Sequence, residues 1–374
     1  MIQTKDGFPL SALGTGAFHD DAMFKAIGDI PVVFMFPGGG TQYPGMGKDL
    51  YEQQTVFRSF VDECAQLALD YLGTDIREAL YNEFSSPSAL QRPSVALVAL
   101  FVTEYALAKL WMSLGVKANA MIGHSLGEYV AACLANIFSL DDALKLVALR
   151  GKLFEKVGVG AMLSVPLASD IVEHLLTDNL SLAAINAPDL CVVSGPSGDV
   201  DRFEEKLTRF NVEVRRIPIA VPGHSGLLDP VLDDFLSVVA QVAMHRPSIP
   251  FVSNLTGTWI TDAEAVDPAY WAGHLRGTVQ FSKGIRTLLM RGYHTFLEVG
   301  PGRVLSSLTT LHDLAEEQLV VASMPRRCSA NSGTDFLRAS FRQLAFPCLG
   351  SRLASPRRKQ VQSVRSNNTA VEQG

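Results

Sequence analysis

The chain has 374 residues, a net charge of −6 and an apolar content of 47%. A nucleic-acid-binding function is disfavoured, because that function depends on clustered lysine and arginine that displace counterions. The apolar content is ample for a substantial core in one large or two ordinary domains.

Residues 1–29 show no clear periodicity and are interpreted as an N-terminal extension without the charge pattern of a secretory signal. The first strong strand, IPVVFMF, ends in three glycines, and helical patterns follow to about Leu114. The most apolar segment, SVALVALFVTEYALAKLWMSLGV, is interrupted by Glu104 and Lys109, which predicts a buried core helix and no membrane span. The strand ANAMIG and the helix LGEYVAACLANIF come next.

The pattern changes between residues 160 and 220, where strand and helix signals follow the order β-α-β-β-α-β within some 60 residues. That order is typical of a ferredoxin-like unit. The sequence therefore predicts an α/β protein in which residues 30–159 and 221–345 form a large subdomain with a parallel sheet and residues 160–220 form the inserted small subdomain. The polar, basic segment 349–374 is predicted to be a disordered tail.

The five cysteines have no C-x-x-C spacing, so the sequence predicts no metal site and no disulfide framework. This cysteine usage fits a reduced, cytoplasmic setting best.

The stretch GHSLG, residues 123–127, has the pattern G-x-S-x-G and places Ser125 between a predicted strand and a predicted helix. Backbone N–H groups and the helix dipole favour negative charge at such a position, as acyl transfer requires. The alternative is a serine that only caps a helix. His224, on a Pro-Gly turn, is a candidate base, and Arg150 is either a carboxylate-binding cation or a side chain that complements a helix dipole.

Five segments occur in the order typical of one family: FPGGGTQYPGMG, GHSLGEY, LVALRGKL, VPGHSGLLDP, and YWAGHLRGTVQF followed by FLEVGPGRVL. The sequence resembles the malonyl-CoA:acyl-carrier-protein transacylases and the acyltransferase domains of modular polyketide synthases. The segments FPGGGTQY and YWAGHLRGTVQF look more like the polyketide domains than like the fatty-acid enzyme. The resemblance runs from about Val32 to at least Leu308. It implies an α/β-hydrolase-like large subdomain with the ferredoxin-like insertion.

The resemblance implies the main roles at the site. Ser125 corresponds to the nucleophile that becomes acylated, and His224 to its general base and acid. Arg150 corresponds to the arginine that binds the free carboxylate of a malonyl-type group. The backbone N–H groups of Leu126 and Gly39 correspond to the oxyanion donors, although family members usually carry glutamine at the Gly39 position.

Further positions are implied to support the site or line the pocket. Asn186 corresponds to an asparagine of the cleft, and Arg92 stands where many members have glutamine. His274 falls where asparagine or glutamine usually supports the catalytic histidine, so its backbone carbonyl is expected to do so. Gly223 and Val221 match neither the H-A-F-H pattern of malonyl users nor the Y-A-S-H pattern of methylmalonyl users.

The implied reaction moves an acyl group from a coenzyme A thioester through an acyl-serine to the phosphopantetheine thiol of an acyl carrier protein, with no tightly bound cofactor. Leu126 after the nucleophile resembles malonyl users, whereas methylmalonyl users commonly have glutamine there. Malonyl-CoA is therefore the expected donor, with leakage to methylmalonyl-CoA. The alternatives are a hydrolase that clears acyl groups from carriers, which would have less use for Arg150, and a non-catalytic scaffold. The sequence fits both a free-standing enzyme and a fragment of a synthase with neighbouring domains.

Overall fold

The computed structural model describes residues 30–82, 89–177, 179–219, 222–312, 317–326 and 332–346. The strands are β1 (Val32–Phe36), β2 (Ala118–Gly123), β3 (Gly160–Val165), β4 (Ser181–Ala187), β5 (Leu190–Pro196), β6 (Arg215–Ile217), β7 (Phe251–Val252), β8 (Thr295–Glu298) and β9 (Leu319–Ala322). The α-helices are α1 (Lys48–Gln53), α2 (Thr55–Leu72), α3 (Ile76–Tyr81), α4 (Pro93–Ser113), α5 (Gly127–Leu134), α6 (Leu140–Phe154), α7 (Ser169–Leu175), α8 (Ser197–Arg209), α9 (Leu232–Val239), α10 (Asp262–Ala265), α11 (Pro268–Arg276), α12 (Phe281–Met290), α13 (Val304–Thr309) and α14 (Gly333–Ala345).

The larger sheet is parallel and has the strand order β7-β2-β1-β8-β9. Every residue of β1 is buried, as expected for a central strand covered on both faces. The last residues of β1 and β2, Phe36 and Gly123, pair with each other. Because the carboxyl ends of parallel strands share one edge of the sheet, the loops that follow β1 and β2 lie side by side at that edge.

The apolar helix α4 packs in the core of this large unit. It is the one helix of the described ranges that is long and apolar enough to cross a membrane, and most of it is buried inside the protein. Sixteen of its residues are buried, on all sides of the helix, and they include Glu104. A helix that is apolar all round is expected at such a central position. The prediction of a core helix is confirmed for the described structure.

The smaller sheet is antiparallel and has the order β4-β5-β3-β6. It follows the chain order strand, helix, strand, strand, helix, strand, from β3 to β6. Helices α7 and α8 cover it with a separate apolar core that includes Leu163, Val193 and Phe203. This is the ferredoxin-like arrangement, so the predicted fold class is confirmed.

Strand β4 joins the small unit to the large one. Val279, which precedes α12, accepts a hydrogen bond from the backbone N–H of Ile185 and donates one to the carbonyl of Ala183, each at 2.9 Å. The Thr278 hydroxyl donates to the carbonyl of Leu182 at 2.7 Å. The segment around residue 278 therefore extends the edge of the small sheet into the large unit.

Two predicted segments lie outside the described residues. They are the N-terminal extension, residues 1–29, and the polar tail, residues 349–374.

Candidate active site

Ser125 lies on a sharp turn between β2 and α5. Its φ angle is 53°, in the left-handed region that non-glycine residues seldom adopt. The glycines on either side allow the close approach that this turn needs. A Cβ atom on Gly123 would lie 2.1 Å from the Glu128 nitrogen, and one on Gly127 would lie 2.0 Å from the Phe36 carbonyl oxygen. The G-x-S-x-G pattern is thus explained by packing, with the serine side chain raised at the edge of the sheet.

The Ser125 hydroxyl contacts His224. Its Oγ lies 2.7 Å from Nε2 of His224, and the other ring nitrogen, Nδ1, lies 2.8 Å from the carbonyl oxygen of Gly277. Because a carbonyl only accepts hydrogen bonds, Nδ1 carries the proton, and in the neutral ring Nε2 accepts from the serine hydroxyl. A backbone carbonyl therefore orients this histidine, where a Ser-His-Asp triad uses a carboxylate.

His224 is buried, and its pKa is held well below the usual 6.5. Burial is the main cause, and the positive charge of Arg150 and the ring of His274 lower the pKa further. The imidazole is consequently neutral near pH 7. A neutral imidazole with a free lone pair directed at a hydroxyl can act as a general base.

Arg150 comes from α6, whose first turn is capped by the Ser139 side chain. Arg150 is 1% exposed, and its guanidinium lies over the rings of Tyr129 and Phe154, at 5.4 and 5.3 Å from their centroids. Nη2 donates to Oγ of Ser125 at 2.8 Å, whereas Nε and Nη1 have no hydrogen-bond partner among the described residues. Burial lowers the pKa of this group, but arginine stays protonated in proteins. Two donors of this buried cation are therefore left without a partner in the described structure, and an anionic ligand group is the kind of acceptor that would satisfy them.

The two predicted oxyanion donors lie in the adjacent loops. Leu126 stands at the N-terminus of α5, and Gly39 lies on the turn after β1. A Cβ atom on Gly38 would lie 3.4 Å from Cβ of Ser125, so the two loops are in contact beside the nucleophile. Within the described ranges, neither the Leu126 nor the Gly39 N–H donates a hydrogen bond. Both are available to a negatively charged oxygen near Ser125.

The small unit contributes Asn186, at the end of β4. Its Oδ1 lies 2.8 Å from Nε2 of His124, the residue before Ser125. The predicted position of Asn186 beside the site agrees with this contact.

The structure corrects the prediction for His274. The carbonyl that supports His224 belongs to Gly277, three residues further on, and the backbone N–H of His224 donates to the carbonyl of Leu275. The prediction was wrong because the turn after α11 directs a different carbonyl at the ring. The His274 side chain is buried, with Nε2 3.5 Å from a carboxylate oxygen of Glu128, and its ring centroid lies 6.1 Å from that of His224.

The remaining predicted residues have weaker connections to Ser125. Arg92 is exposed at the start of α4. At Gly223, next to the base, a Cβ atom would meet no atom of the described residues within 4 Å, so the described structure leaves space beside this position. Val221 lies outside the described residues.

Sequence reasoning missed a buried polar cluster behind the nucleophile. Asn254 accepts a hydrogen bond from the Ser125 N–H at 2.6 Å, and its own backbone N–H donates to Glu128 at 2.6 Å. The hydroxyl of Tyr270 donates to the same carboxylate. One signal was present in the sequence, since Glu128 is a carboxylate in the otherwise apolar helix α5 and so required a buried partner.

The described residues hold no group of three or more histidine, cysteine or acidic side chains that could bind a metal ion. Three of the five cysteines fall within the described ranges, and they are buried free thiols: Cys64, Cys133 and Cys191.

Comparison with known proteins identifies a family. The family model described as acyl transferase domain matches residues 33–339. A phenolphthiocerol/phthiocerol polyketide synthase protein of Mycobacterium tuberculosis (strain CDC 1551 / Oshkosh) is 37% identical over 294 residues, covering 79% of this chain and 20% of that protein. The chain thus spans about a fifth of the length of this relative.

Solved structures agree with this result. The acyl transferase domain of SpnD, in complex with 2-(pent-4-yn-1-yl)malonyl, is 41% identical with a TM-score of 0.80, covering 84% of this chain and 76% of that one. A malonyl-transacylase, PlMCAT, in complex with the type II polyketide acyl-carrier protein AntF, is 25% identical with a TM-score of 0.73, covering 85% and 99%. The resemblance predicted from the five sequence segments is confirmed: this chain belongs to the acyl transferase domain family, whose members include domains of polyketide synthases.

Proposed function

We propose that this protein transfers a malonyl-type acyl group from coenzyme A to the phosphopantetheine thiol of an acyl carrier protein, through an ester on Ser125. The main support for the proposal is the position of the Ser125 hydroxyl between a base and a cation. Oγ of Ser125 lies 2.7 Å from the neutral base His224 and 2.8 Å from the buried cation Arg150. The base activates the serine, and the cation supplies, for a free carboxylate, two donors that lack a partner in the described part of the chain.

In the first half of the reaction, Oγ of Ser125 attacks the thioester carbonyl and its proton passes to Nε2 of His224. The Gly277 carbonyl stabilises the resulting imidazolium through Nδ1–H. The N–H groups of Leu126 and Gly39 bind the oxyanion. The C–S bond then breaks, and coenzyme A leaves as a thiol with the proton from His224.

In the second half, the carrier thiol gives its proton to His224 and attacks the ester carbonyl. The Ser125 alkoxide leaves and recovers the proton from His224. These steps need the side chains and main-chain groups of this chain, with the thioester as substrate and no tightly bound cofactor. The carrier as partner is supported by the related malonyl-transacylase that was solved with its acyl-carrier protein. Neighbouring synthase domains and a role in polyketide synthesis are supported by the much longer synthase proteins that contain such domains.

The space beside Gly223 affects which acyl groups the site can accept. It gives room for a small substituent on the malonyl α-carbon, and one methylene in a pocket is worth only about 1–3 kcal/mol. Leu126 follows the nucleophile as in malonyl users. We therefore propose malonyl-CoA as the preferred donor, with measurable use of methylmalonyl-CoA.

A two-stage experiment tests the proposal. The protein is incubated with malonyl-CoA, freed from coenzyme A by desalting, and then mixed with a carrier protein that carries its phosphopantetheine arm. Intact-protein mass spectrometry follows the malonyl mass. We expect the mass to move from the enzyme to the carrier faster than it is lost to water. Loss to water at the same rate with and without the carrier would instead identify a hydrolase.

A further inference from the structure

Asn254 bridges the turn that carries Ser125. Its side-chain Oδ1 accepts the Ser125 N–H at 2.6 Å, and its side-chain Nδ2 donates to the Gly123 carbonyl at 2.8 Å. Asn254 is 3% exposed, so bulk water does not compete for these bonds. One carboxamide therefore binds the backbone on both sides of His124.

The Asn254 side chain replaces the backbone hydrogen bonds that a longer strand β7 would make to the end of β2. Strand β7 pairs with β2 only as far as Ile122 and Val252. In a parallel sheet, one residue bonds through its C=O and N–H to two residues of the neighbouring strand that are two positions apart. Asn254 makes the same pair of bonds through its side chain, to Gly123 and Ser125. The carboxamide thus extends the hydrogen-bonding pattern between β7 and β2 by one step, to Ser125 on the turn after β2.

A second group of hydrogen bonds fixes the position of Asn254 itself. The Asn254 backbone N–H donates to Oε2 of Glu128, whose other oxygen accepts from the hydroxyl of Tyr270. That hydroxyl also lies 2.7 Å from Oγ of Ser253. Glu128 belongs to α5, the helix that starts just after the nucleophile. The strand and the turn of the nucleophile are thus tied to the side chain of Asn254, and the helix is tied to its backbone N–H.

We propose that Asn254 is a positioning residue that holds Ser125 in its left-handed conformation, with Oγ on Nε2 of His224. A non-glycine residue with a φ of 53° is strained, and such strain persists only where the surroundings fix it. Without the bridge, Ser125 can relax toward ordinary φ values and its Oγ moves away from the base. The assignment of Ser125 as nucleophile rests on the proposed function.

The test measures serine reactivity with a fluorophosphonate, so that it does not depend on the acyl donor. In that reaction the Oγ–P bond of Ser125 forms, the P–F bond breaks, fluoride leaves and the Oγ proton passes to His224. Mass spectrometry gives both the rate and the final number of labels per chain. We expect Asn254→Ala to reach one label per chain at a rate lower by about 10- to 100-fold, the effect of a displacement on the order of 1 Å.

The matched control is Asn119→Ala. Asn119 also accepts a backbone N–H of the same sheet through Oδ1, from Val32 at 3.0 Å, but at the opposite end of β2. This variant is expected to keep the native rate. In loading assays with malonyl-CoA, Asn254→Ala should lower kcat, leave KM unchanged and leave the midpoint of the pH profile unchanged, because the Gly277 contact of His224 remains.

A second variant, Tyr270→Phe, covers the case in which Asn254→Ala does not fold. It removes the hydroxyl that holds Glu128 and should slow labelling by a smaller factor. Labelling of either folded variant at the native rate would overturn the proposal. The proposed function is contradicted instead if the native protein reacts with the fluorophosphonate but is not acylated by malonyl-CoA. In that case the labelling rates of the variants still test the role of Asn254.

Discussion

Replacement of Arg150 by methionine removes the guanidinium and keeps an unbranched side chain in its place. Nε and Nη1 of Arg150 are buried and have no partner among the described residues, and the proposed function assigns both to the carboxylate of the malonyl group. A hydrogen bond to a charged group is worth about 1.5–3 kcal/mol, and two are worth about 3–6 kcal/mol. If both bonds form in the transition state, loading from malonyl-CoA falls by about 10²- to 10⁴-fold.

Acetyl-CoA provides the internal comparison, because an acetyl group has no carboxylate to lose. The rate of loading from acetyl-CoA should stay the same or rise in Arg150→Met, because an uncompensated buried cation no longer faces the acyl group. The assay mixes the two thioesters at equal concentration and measures the two adducts by intact-protein mass spectrometry. Arg150→Lys, which keeps a charge without the planar fork, should recover part of the malonyl preference. An equal decline for both donors in Arg150→Met would refute the reasoning and make Arg150 structural.

Three other predictions follow from the geometry. The loading rate of the native protein should stay constant as the pH falls to 6.5, because burial and Arg150 lower the pKa of His224. Arg150→Met removes one of these two causes, so it should move the acidic limb of the pH–rate profile to higher pH. Gly223→Phe should fill the open space beside the base, so in competition experiments it should suppress methylmalonyl loading more than malonyl loading. Gly127→Ala should destabilise the protein by about 1–3 kcal/mol in urea unfolding, because its Cβ would lie 2.0 Å from the Phe36 carbonyl oxygen.

The parts of the site that follow from local sequence were predictable. The strand β2, the turn at Ser125 and the helix α5 are contiguous, and the two glycines around the serine identify a turn that only glycine can pack. The ferredoxin-like unit was predictable for the same reason, since its strands and helices alternate within one continuous segment.

Contacts between distant segments could not be predicted in this way. Gly277 supports His224 through its backbone carbonyl. Every residue type has such a carbonyl, so the residue type gives no signal, and the family resemblance pointed to His274 instead. Asn254 follows a strand of only two residues, too short for a periodic signal. Its role depends on where β7 stops beside β2, and that register is decided by tertiary packing.

The most direct test of the central claim is to map the acyl group after exposure of the native protein to malonyl-CoA. We predict one malonyl ester per chain, on the peptide that contains Ser125. It should be absent in Ser125→Ala and should form more slowly in His224→Ala by about 10²- to 10⁴-fold. An undiminished adduct in Ser125→Ala, or an adduct mapped to another residue, would contradict the account.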